Sequence, residues 1–179
     1  MLTRDQLDSS AKALETRGYR PPMTALWAFA SLLADETPVE VIGESFTVGE
    51  RTVWVLTGVT DACLISVRAS SATRYWSWQV PSSAADRPGE DLEASLWPLS
   101  AVRSLKVTRV RDTTERGDNS KFEWEAGWTV TLRDGKVLSF PSPEAEQYSA
   151  DSERIENLVA LIRGHLIGTR VPGSHDAAV

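Results

Sequence analysis

Cysteine and histidine are nearly absent from this chain, and each scarcity removes a class of chemistry. One cysteine, Cys63, in 179 residues cannot close an internal disulfide, so the fold must rest on packing. The only histidines are His165 and His175. There is no Cys-Xaa-Xaa-Cys, no His-Glu-Xaa-Xaa-His and no histidine pair at helical spacing, which leaves no zinc-type ligand pattern. A His-based catalytic pair would draw one member from a tail with little to bury. Glycine-rich phosphate loops are missing as well. No apolar run approaches the about 18 residues of a transmembrane helix. The opening Met1-Leu2-Thr3-Arg4-Asp5 lacks the basic, then apolar, start of a secretory signal. The expectation is a cytoplasmic protein with no integral membrane association and neither metal nor cofactor.

What is present is ordinary globular composition, with 41% apolar and 25% charged residues, which excludes wholesale disorder and fibrous repeats. The 19 basic and 25 acidic side chains sum to −6, a field that repels nucleic acid and anionic lipid. Fifteen of the basic residues are Arg and four are Lys, a bias of the kind a GC-rich bacterial genome produces.

Patterning divides the chain into 1–36, a helical hairpin, 37–167, a β-rich domain, and 168–179, a flexible tail. Thr3 and Gln6 form a capping box, Leu7, Ala11 and Leu14 recur at helical spacing, and Gly18 suits a C-terminal cap. After Pro21-Pro22, Thr24 caps a second helix carrying Leu26, Trp27, Phe29, Ala30, Leu32 and Leu33. That helix is apolar on more than one face, so the hairpin is expected to dock on the β domain or on a partner subunit, with Trp27 at the buried junction. An exposed Trp27 would instead favour membrane or peptide docking.

Seven strands are expected, at 39–47, 51–57, 62–70, 74–80, 102–111, 121–133 and 137–140. Gly49 and the Asp134-Gly135 dipeptide mark hairpins. In the sixth strand Phe122, Trp124, Ala126, Trp128, Val130 and Leu132 share one face. Residues 81–93 and 112–120 read as exposed polar loops. A final amphipathic helix, capped by Ser149 or Asp151, carries Ile155, Leu158, Val159, Ile162 and Leu166 on one stripe.

Thr52-Val53-Trp54-Val55-Leu56-Thr57 followed by Cys63-Leu64-Ile65-Ser66-Val67 resembles the second and third strands of the bacterial pleckstrin-homology-like domains. Leu96-Trp97-Pro98-Leu99-Ser100-Ala101-Val102 is similar to their lead into the fifth strand. Trp128 to Leu132, Asp134-Gly135, Val137 to Phe140 and the last helix complete the likeness, over about residues 39–166. It implies a mainly β (α+β) fold: a seven-stranded antiparallel barrel or sandwich capped by a C-terminal helix, here preceded by two helices. It also implies a non-catalytic binding or scaffolding module that engages a protein partner or a second copy of itself. The chain has Gly58-Val59-Thr60-Asp61 where such domains carry a short Asp-Xaa-Arg turn. The first hairpin holds Glu44 and no basic residue across 43–49, which disfavours a phosphoinositide site.

Cys63, inside an apolar strand, reads as a buried inert thiol. Glu123 and Glu125 lie about 7 Å apart on one strand face and read as solvated rather than as a hydrolase pair. His165 reads as a solvent-facing residue at a helix C-terminus. Arg103, Lys106, Arg109, Arg111, Arg116 and Lys121 form the basic region, with no interleaved aromatic for base stacking. They read as a solvated strand and loop, or as the complement of the acidic stretch 144–156. Arg74, Tyr75, Trp76 and Trp78 alternate, and the pattern leaves open which face is inward. The candidate interaction surface is therefore Trp27, Arg74, Tyr75, Trp76, Trp78, Arg109 and Arg111. The other readings kept are a small-molecule site at the barrel mouth, a peripheral membrane protein and a carboxylate-based hydrolase.

Overall fold

Val53, Trp54, Val55 and Leu56 place apolar side chains at four consecutive positions, a pattern suited to a strand whose sheet is covered on both faces. The computed structural model describes residues 10–15, 20–34, 36–72, 91–112, 124–145 and 152–168, and it shows that arrangement. Strands β1 (Glu40–Val48), β2 (Arg51–Val59), β3 (Cys63–Ser71) and β4 (Asp91–Pro98) form an antiparallel sheet in sequence order. Strands β5 (Val102–Asp112), β6 (Trp124–Leu132) and β7 (Val137–Phe140) form a second one. Helix α1 (Met23–Leu33) precedes the sheets and helix α2 (Ser152–Gly168) follows them. Among the described residues no hydrogen-bonded ladder joins the two sheets. The fold is therefore mainly β, two antiparallel sheets of four and three strands with a C-terminal helix, and the described residues form no closed barrel.

The four-stranded sheet separates two cores. On one face Trp54, Leu56, Ile65, Val67 and Ala69 pack against Leu26, Phe29 and Leu33 of α1 and against Ala11 and Leu14. Two glycines permit this contact. A Cβ at Gly58 would stand 2.6 Å from Phe29 Cζ, and one at Gly43 would overlap the Leu14 carbonyl oxygen. On the other face Ile42, Val59 and Leu64 meet Val130, Leu132 and Phe140 of the second sheet and Ile155, Leu158, Val159 and Ile162 of α2. Each such side chain, fully buried, contributes about 1.5–3 kcal/mol of transfer free energy. The Arg154 guanidinium of α2 donates to the Ala13 carbonyl, tying the last helix to the first described segment.

Turn chemistry sets the hairpins. Gly49 (φ 61°) and Gly135 (φ 90°) occupy backbone conformations that favour glycine. Thr60 Oγ1 accepts from the backbone N–H groups of Ala62 (3.2 Å) and Cys63 (2.9 Å), closing the β2–β3 connection.

Several expectations are corrected. The strand beside β3 is Asp91–Pro98, which takes in residues read as loop, because Leu92, Ala94 and Leu96 alternate with Glu93, Ser95 and Trp97. The expected strand 74–80 lies outside the described residues. The first helical segment ends at residue 13, before Gly18. Helix α1 is preceded by Pro22 at its N-cap, leaving Thr24 inside the first turn with its buried hydroxyl unbonded. Trp27 is 43% exposed, since Leu26, Phe29 and Leu33 define the buried stripe and Trp27 projects away from it. Cys63 opens β3 and is half-buried rather than core, because it lies beyond the last β2–β3 pair, Val59 with Leu64. His165 is half-buried rather than solvent-facing.

Candidate functional site

Two concave features lie on the second sheet. The larger is a groove of about 760 Å³ between β5 and the end of α2, lined by Arg103, Leu105, Val107, Trp128, Arg163 and Ile167, with Val102, Ser104, Arg133 and Leu166. Its volume falls in the range of about 300–1,000 Å³ common for ligand sites. Local rules build it. Strand β5 ends the sheet, so among the described residues its outer edge has no partner strand. The register with β6 shifts between Val107 and Arg109, which re-aims the side chains on either side. Val107 is 50% and Ile167 64% exposed. The Arg163 guanidinium lies 5.3 Å from the centroid of the Trp128 ring, a cation–π distance, and the indole Nε1 donates to Glu156 at 2.9 Å. Three arginines and an apolar wall thus share one concavity, and among the described residues no carboxylate lines it.

The smaller feature is a cleft of about 250 Å³ between the four-stranded sheet and β7, where Thr57, Ser66 and Arg68 face Leu138, Phe140 and Ser142. Ion pairs span it. Arg68 reaches Glu144 at 3.3 Å and lies 5.8 Å from the Phe46 ring centroid. Lys136 pairs with Glu93 and stands 5.1 Å from the Trp97 ring centroid. Trp97 Nε1 donates to Asp134 at 3.1 Å, so the β6–β7 turn is fastened to β4. Behind the cleft Glu44 is 3% exposed. Its oxygens accept from the Ser142 backbone N–H (2.9 Å) and Ser142 Oγ (2.7 Å). Burial pushes the Glu44 carboxyl above its usual range, the two Ser142 bonds pull it back, and the Glu144 charge adds to the rise.

Among the described residues, those selected from sequence do not form one site. Trp27 stands on α1, against the four-stranded sheet, and Arg109 on β5 of the other sheet. Arg111 lies on β5, and its side chain falls outside the described residues, as do Arg74, Tyr75, Trp76 and Trp78 entirely. Sequence reasoning missed Arg133 and Arg163 as neighbours of Arg103. The available signal was Arg163 in helical register with Val159 and Leu166 at the edge of the buried stripe. It also missed Glu44, read only as an acid in a hairpin. The expected complement of the basic region is partly used elsewhere, since Glu144 pairs with Arg68. Glu125 accepts from Ser152 Oγ at 3.2 Å, and Glu123 lies outside the described residues. Among the described residues there is no group of three or more potential metal-ligating side chains. No described helix is long and apolar enough to cross a membrane.

No protein-family model matches the chain, and neither a curated protein nor a solved structure does.

Proposed function

We propose that this chain is a non-catalytic binding module of pleckstrin-homology-like architecture, acting in a bacterial cytoplasm, whose groove between β5 and α2 receives an acidic segment of a partner protein. The split into four and three antiparallel strands followed by one helix supports the architecture. The observation that carries the binding reading is the coincidence of Arg103, Arg133 and Arg163 with exposed Val107 and Ile167 in one groove. Arginines supply fork-shaped donors to carboxylates, and the edge of a sheet can accept an extended chain. A peptide alternating Asp or Glu with large apolar residues satisfies both. The chain's net charge of −6 confines attraction for such a partner to this basic surface.

Selection from a random displayed peptide library against the full chain tests the reading. The expected peptides place acidic residues beside Leu, Phe or Trp. Arg103→Gln with Arg163→Gln should slow their association and flatten its salt dependence, and Val107→Asp should abolish binding. Peptides without acidic residues, or binding indifferent to these changes, would overturn it. So would a chain that selects no peptide but sediments with phosphatidylserine vesicles.

A further inference from the structure

We propose that the cleft between the two sheets is a separate binding site for a compact zwitterion of the α-amino-acid class. The inference is independent of the groove, because a different set of residues carries it. The cleft's 250 Å³ lies below the about 300–1,000 Å³ of pockets that hold drug-sized ligands, a size that suits a small molecule. Its charges balance: Arg68 and Lys136 are matched by Glu93 and Glu144, in two ion pairs. A ligand of one charge that takes one member of a pair strands the other. A zwitterion inserted into the Arg68–Glu144 pair presents its carboxylate to the Arg68 fork and its ammonium to Glu144, leaving the Lys136–Glu93 pair intact and no charge without a partner.

The exchange is inexpensive. The four side chains are between 34% and 61% exposed, and ion pairs in that setting contribute about 0–1 kcal/mol. The hydroxyls of Thr57 and Ser66, which line the cleft, supply hydrogen-bonding groups. Val55, Leu138 and Phe140 form an apolar wall for a short aliphatic side chain.

Calorimetry and thermal-shift measurements on the full chain test this with glycine, L-alanine, L-valine and L-serine at millimolar concentration, beside acetate, ethylammonium and phosphate. The amino acids should bind and raise Tm, with acetate and ethylammonium each weaker by roughly tenfold or more. Arg68→Gln should lower the affinity roughly tenfold. Glu144→Gln, at an exposed position, should weaken binding without disturbing the fold. Failure of every amino acid to bind, acetate binding as tightly as glycine, or affinity unchanged in both variants would overturn the proposal.

Discussion

Ser142 occupies both oxygens of the buried Glu44 carboxylate, its backbone N–H donating to Oε1 at 2.9 Å and its hydroxyl to Oε2 at 2.7 Å, across 98 residues of sequence. The bond pair joins β1 to the segment after β7, so it is one of the few polar contacts through which the two sheets hold each other. Burial leads the upward shift of the carboxyl.

The sign of the pH dependence follows. The folded carboxyl titrates above the ordinary 4.5, so the unfolded chain releases this proton first. Glu44's contribution is fully present below that value and is lost as pH rises through its folded-state pKa. Glu44→Gln should remove this part of the decline in denaturation midpoint with rising pH. Glu44→Ala should lower stability by about 1–3 kcal/mol by stranding the Ser142 N–H. An identical pH profile for wild type and Glu44→Gln would contradict the assignment.

Gly58 and Phe29 form a socket whose depth admits no side-chain carbon. Gly58→Ala should cost about 1–3 kcal/mol in urea unfolding, as overpacked cores do. Phe29→Leu in the same chain should return part of that loss, and additive costs would show that the two do not touch.

Trp27 and Phe29, two residues apart on α1, should respond oppositely to truncation. Phe29 is fully buried and Trp27 43% exposed. Phe29→Ala should cost about 3–5 kcal/mol, while Trp27→Ala should stay within about 0.5 kcal/mol. A large loss of Tm from Trp27→Ala would place a subunit or another segment over it.

Helix α2 supplies four buried apolar side chains to the core between the sheets. Ending the chain after Ala150 should leave an aggregated or molten product that binds ANS. A soluble, cooperatively melting truncation would deny the helix this role. Leu158→Ala, a milder change at a fully buried site, should cost about 2–5 kcal/mol.

Cys63 is half-buried, and partial desolvation followed by the Glu36 charge raises its thiol above the ordinary 9.0. Alkylation at neutral pH should therefore run slower than that of free cysteine and accelerate as pH rises toward the thiol's pKa. Faster reaction than free cysteine at pH 7 would reopen a nucleophilic role.

Short-range order was legible along the chain because it depends on neighbours in sequence. Alternation placed β7 at 137–140 and β5 from Val102. The stripe Ile155, Leu158, Val159 and Ile162 marked the buried face of α2, and Asp134-Gly135 marked the last hairpin. What alternation cannot encode is what lies over each face. Only the tertiary structure put α1 on one side of the first sheet and α2 with the second sheet on the other, which is why β2 is apolar at successive positions. Only it turned Trp27 outward, made Glu44 a buried acid, and gathered Arg103, Arg133 and Arg163 from β5, the β6–β7 turn and α2 into one groove. Burial and convergence are sums over partners distant in sequence, and no local period reports them.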